Sequence, residues 1–179
     1  MPLLLFFIGC QYIESNEKTA LLNEQGLSGT YNQIKSLEGE WEGYFEWTGA
    51  MKGTGYVKAR YTLNGQESAV IENLLDEKGN ITMTSVYHMD GLSSLRMTHF
   101  CMHNQPRLKA TSFTNNAVEF DFVDITNKES ERGHVYGAGL NFLSNDSLHI
   151  VFKYRKGDEL SEELVALKRT ETTVEANPE

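Results

Sequence analysis

From about Leu37 to Arg169 the chain alternates apolar and polar residues with a period of two, and turn residues interrupt the alternation at short, regular intervals. Trp41, Gly43, Phe45 and Trp47 share one face of the first such segment, while Glu40, Glu42, Tyr44 and Glu46 share the other. Then follow "GYVKARYTL", "SAVIENLLD", "ITMTSVYHM", "LSSLRMTHFCMH", "RLKATSF", "AVEFDFVDI", "HVYGAGLNFL", "SLHIVFKYR" and "ELVALKRT". Asn64-Gly65 and Gly79-Asn80 are strong hairpin signals between them. Helical periodicity is nearly absent from the whole stretch.

About ten short strands in succession, joined by short connections, predict an all-β fold. A long antiparallel meander leaves two unpaired edges unless it closes or splits. The short loops favour an up-and-down antiparallel β-barrel, in which each strand pairs with its sequence neighbour. A Greek-key sandwich is the alternative, with the polar loop from Thr126 to Gly133 as its long connection.

Residues 11–36 are polar, without a sustained period of 3.6 or 2, and are expected to be a tether; a helical turn at Ala20-Leu21-Leu22 is the one exception considered. Residues 37–170 form the barrel domain, and 171–179 are a frayed tail. The apolar run Leu3 to Ile8 is too short for a membrane-spanning helix, which takes roughly 20 residues. It ends at Gly9-Cys10 and resembles the lipobox of bacterial lipoproteins, which implies lipidation at Cys10. The positively charged start typical of such signals is absent. The other reading makes Leu3 to Ile8 a buried strand and Cys10 a core thiol.

Composition narrows the class further. With 179 residues, 40% hydrophobic, 3 prolines and 2 cysteines, the chain has enough core for one domain and no disulfide framework. A net charge of -9 argues against a nucleic-acid partner, whose phosphates recruit Lys and Arg. If Cys10 carries lipid, Cys101 is left without an intramolecular partner and is expected to be buried.

Gly39-Glu40-Trp41 resembles the first-strand Gly-x-Trp of lipocalin-like barrels. That resemblance implies that Trp41 packs across one barrel end and that a late basic residue, Arg169 or Lys168, lies over its indole; a guanidinium stacks well on such a ring. The region from Leu37 to Arg169 is also similar to uncharacterised bacterial lipocalin-like proteins carrying Thr98-His99-Phe100-Cys101 and Asn104-Gln105-Pro106-Arg107. This resemblance implies a fold and no particular activity.

The candidate chemistry clusters in "MTHFCMHNQPR", Met97 to Arg107. His99, Cys101 and His103 fall on one strand face with Leu95 and Met97, a spacing that can hold zinc or copper, although a further ligand has no spacing signal. An ordinary strand with a corner at Asn104-Gln105-Pro106 explains the same residues, and no metal is assigned. Arg107 can meet a carboxylate ligand or pair with an acidic neighbour.

If Trp41 points inward, the rows Ile81-Met83-Ser85-Tyr87, Val118-Phe120-Phe122 and Leu148-Ile150-Phe152-Tyr154 supply further apolar walls. They suit a small hydrophobic molecule. Tyr87, His99, Asn104 and Arg107 are the residues expected at the ligand. The remaining readings are an enzyme with His99 as acid or base, a haem- or metal-binding barrel, and a structural envelope protein whose barrel is filled by its own side chains. The cofactor is left unassigned. The expected setting is the bacterial cell envelope, with membrane contact through the lipid anchor only.

Overall fold

The computed structural model describes residues 25–101, 104–127 and 133–170. Ten antiparallel strands close into one barrel: β1 (Gly39–Gly49), β2 (Gly53–Asn64), β3 (Ala69–Leu75), β4 (Ile81–Met89), β5 (Leu95–Phe100), β6 (Pro106–Phe113), β7 (Ala117–Ile125), β8 (His134–Ser144), β9 (Ser147–Lys156) and β10 (Glu159–Arg169). Each strand pairs with its neighbours in sequence, and β1 pairs with β10 from Trp41↔Arg169 to Gly49↔Ser161. The up-and-down barrel is therefore the observed topology, and the sandwich is not.

Alternation explains the interior. Trp41, Val57, Ala59, Tyr61, Val70, Leu74, Met97, Leu108, Phe120, Ile150, Phe152 and Val165 are buried inside, with charged residues between them on the outer face. At the β1/β10 seam the strands approach so closely that a Cβ on Gly43 would lie 1.8 Å from the Ala166 carbonyl oxygen. On β8, Gly139 leaves room for the Glu119 carboxylate, which reaches Lys153 Nζ at 3.2 Å.

Two of the expected inward rows are interrupted. Ile81 and Phe122 are exposed, at 59% and 39%. Register shifts at Leu74/Leu75 and Arg107/Leu108, directly opposite these two residues, break the alternation there.

Residues 25–35, expected within a polar tether, form a helix, α1. Leu27, Tyr31 and Ile34 recur at a spacing of four and three, which places them on one face. All three are buried in the same cluster as Leu37 and Trp41. Burying side chains of this size stabilises by roughly 1.5–3 kcal/mol each, which offsets the weak local preference for helix. Cys10, the residues before it, Ala20 to Leu22, His103 and the tail lie outside the described residues.

Candidate functional site

α1 and Trp41 mark one end of the barrel. The Trp41 indole N–H donates to the Leu37 carbonyl at 2.8 Å, and the Arg169 guanidinium lies 4.3 Å from the Trp41 ring centre. The same guanidinium donates to the carbonyls of Ser36 (2.8 Å), Glu38 (2.7 Å) and Asn145 (3.3 Å) and pairs with Asp146. Arg169 therefore ties α1, the start of β1 and the β8–β9 turn to the last strand. Lys168, the other candidate, is on the opposite face of β10 and exposed.

A polar network runs up the inner wall from that end. Tyr61, Glu72, Ser85 and His99 are successive register partners on β2, β3, β4 and β5, so all four project inward side by side. Glu72 is buried and accepts from Tyr61 (2.8 Å) and Tyr87 (2.9 Å) at Oε2 and from Ser85 (3.1 Å) at Oε1. Burial raises the Glu72 pKa, and the three donors counter part of that rise.

The His99 tautomer is tied to the ionisation of Glu72 through Ser85. With Glu72 as the carboxylate, Ser85 gives it its one proton, and the Ser85 oxygen then accepts from His99 Nδ1–H, 3.0 Å away. His99 Nε2 is left as a bare acceptor. It is fully buried and has no hydrogen-bond partner. Burial also pushes the His99 pKa down to about 4, so the ring is neutral at physiological pH.

Across the barrel, Phe152 packs on His99 with ring centres 4.9 Å apart, and its register partner is Glu163 on β10. Glu163 is buried, and its carboxylate accepts from the Trp47 indole. Burial, reinforced by the charge of Glu72 and opposed by the Trp47 bond, raises its pKa to about 7. Trp47 stands edge-on to Tyr154, with ring centres 6.0 Å apart. Cys101, half-buried, is raised to about 11 by burial and by the charge of Glu163, so it remains a thiol.

The expected ligand residues separate. Tyr87 is inside, but its hydroxyl is engaged by Glu72. Asn104 is buried where β5 leads into β6; its Nδ2 donates to the Gly133 carbonyl at 2.9 Å, and its Oδ1 has no partner. Arg107, expected at the ligand, is on the outer face, because Pro106, Leu108 and Ala110 take the inward positions of β6. There it makes a two-pronged bond to Asp124, at 2.5 and 2.9 Å. Among the described residues no three His, Cys, Asp or Glu side chains converge as a metal site.

Glu72 and Glu163 escaped the sequence reading. Each is an acid at a buried inward position, Glu72 between apolar Val70 and Leu74, and Glu163 between Ser161 and apolar Val165. An acidic residue on the apolar side of an alternating strand is the signal that identifies them.

No protein family matches the chain, and no curated protein matches it. Among solved structures it is similar to Rv2717c from M. tuberculosis, with 12% identity, 78% of this chain and 96% of that one covered, and a TM-score of 0.58. A protein of unknown function from the DUF3598 family of Nostoc punctiforme shares 12% identity over 76% of this chain and 48% of its own, with a TM-score of 0.43. The first likeness is one of fold alone, and the second carries no argument.

Proposed function

We propose that the chain is an exported lipoprotein of the bacterial cell envelope, anchored through Cys10, whose lipocalin-like barrel binds a small, largely apolar molecule in its interior. One observation carries the binding reading: His99 Nε2, fully buried, has no partner. Leaving a buried polar atom unsatisfied costs about 1–3 kcal/mol, which a bound molecule with a hydrogen-bond donor recovers. The apolar part of such a molecule would lie against Phe152, Val165 and Phe45. A low pKa makes His99 a weak base, which favours binding over acid–base catalysis at this residue.

Native mass spectrometry of the full chain, beside the same sample denatured, tests this reading. The expected result is extra mass, beyond the lipid, that leaves on denaturation and that His99→Leu diminishes. No such mass, together with no uptake of the neutral apolar dye Nile red, would defeat it. For the anchor, Cys10→Ser is expected to move the protein from the membrane fraction to the soluble fraction.

A further inference from the structure

Around Glu72 and His99 the named hydrogen-bond donors are engaged with one another. There Tyr61, Tyr87 and Ser85 donate to Glu72, His99 Nδ1–H donates to Ser85, and the Trp47 indole donates to Glu163, while the hydroxyls of buried Ser94 and Ser161 have no named acceptor. Acceptors are left over at His99 Nε2 and on the Glu163 carboxylate, which takes only one named donor. Two acids face the interior, yet the described buried inward strand positions hold no lysine; Lys156, at the end of the inward row of β9, is exposed, and the arginine of the inward positions is Arg169 beneath Trp41. A buried carboxylate without a cation is costly.

Aromatic faces complete the surroundings. Trp47 and Tyr154 meet edge to face beside Glu163, and Phe152 lies between Glu163 and His99. Aromatic rings next to a carboxylate attract a positive charge through both the carboxylate and the ring quadrupoles.

We propose that the molecule bound in the barrel carries a protonated amine, with its ammonium group held by the Glu163 carboxylate and His99 Nε2 against Trp47 and Tyr154. This rests on the binding reading above and names the ligand's chemical class. A primary or secondary ammonium supplies donors to His99 Nε2 and the Glu163 carboxylate and the positive charge that Glu163 lacks. An anionic ligand is disfavoured on the same grounds, since it would meet two acids.

The test compares 2-phenylethylamine, 2-phenylethanol and phenylacetate, which share a ring and differ in the head group. Binding to the full chain is followed by tryptophan fluorescence, with Nile red as a neutral control. At pH 8 the amine is expected to bind at least about tenfold tighter than the alcohol, and the acid more weakly than either. Its advantage should fade by pH 5.5, where Glu163 is protonated while the amine, with a pKa near 10, stays charged. Glu163→Gln should remove both the advantage and its pH dependence. His99→Gln should weaken the amine several-fold and keep the pH dependence.

If Nile red binds but the amine is no tighter than the alcohol at pH 8, the ammonium assignment is overturned and the binding barrel stands. An amine preference that survives Glu163→Gln overturns it as well. If none of the four compounds binds, both readings fail together.

Discussion

At the Trp41 end, the large polar side chains are spent on the protein itself: Trp41 on Leu37, Tyr31 on Glu67, and Arg169 on three carbonyls and Asp146. Around Trp47 the arrangement is different. Phe45, Trp47, Met83, Cys101 and Tyr154 are only partly buried, and His99 Nε2 and Asn104 Oδ1 lack partners. Both regions are built from the same strands with the same alternation. They differ in degree: the Trp41 end leaves the hydroxyl of buried Ser94, in the β4–β5 turn, without a partner, and the other region leaves His99 Nε2 and Asn104 Oδ1.

The largest effect is expected at Trp41, the largest fully buried side chain of the closed end. Trp41→Ala should lower unfolding free energy by about 3–5 kcal/mol in urea titrations, by removing a buried indole and the surface on which Arg169 rests. An equally costly large-to-small change at half-buried Trp47 would erase the distinction between the two regions.

Glu163→Gln should have the opposite sign. At pH 8 it should stabilise the chain by on the order of 2–3 kcal/mol, because the native carboxyl gives up its proton at about 7 and the unfolded one near 4.5. At pH 4 both states hold that proton, and the variant should match the parent. Unchanged stability at pH 8 would show that the charge of Glu163 is already compensated.

Glu163 and His99 pull the pH profile in opposite directions. Glu163 contributes stability below 4.5 that is lost as pH rises through 7. His99, with a native value of about 4 against 6.5 unfolded, contributes stability above 6.5 that is lost as pH falls toward 4. Between about 4.5 and 6.5 the two contributions offset each other. Melting temperatures of Glu163→Gln should therefore rise with pH across this window, and those of His99→Gln should fall. Parallel profiles for the two variants would contradict the opposed shifts.

The smallest effect belongs to Arg107→Ala. An exposed ion pair is worth less than about 1 kcal/mol, and Arg107 is outside the barrel, so stability and Nile red uptake should hardly change. A marked loss of binding would move the site to the outer surface.

The barrel was legible because strand alternation is a local signal repeated ten times, and short turns leave few topologies open. Arg107 was expected at the ligand, although the parity of Leu108 and Ala110 already turns it outward. α1 was not recognised: its apolar stripe has only Leu27, Tyr31 and Ile34 among polar residues, and its helical form depends on packing over Trp41. The contact of Phe152 with His99 joins β9 to β5 across the barrel, with Glu163 beside Phe152 on β10, and no pattern within one strand encodes such a distance.

The seam between β1 and β10 has a consequence for how the chain acquires its structure. Residues 41 and 169 must meet, yet they belong to the first strand and the last. During synthesis β1 and β9 both present unpaired edges until β10 has emerged, since β10 is the partner of each. Closure is then one late, long-range event with a large loop entropy to overcome, which sets a slow pace for folding. A nascent chain stopped before Arg169 has no clasp at Trp41, and the contact that ties the last strand to α1 and the first strand is missing.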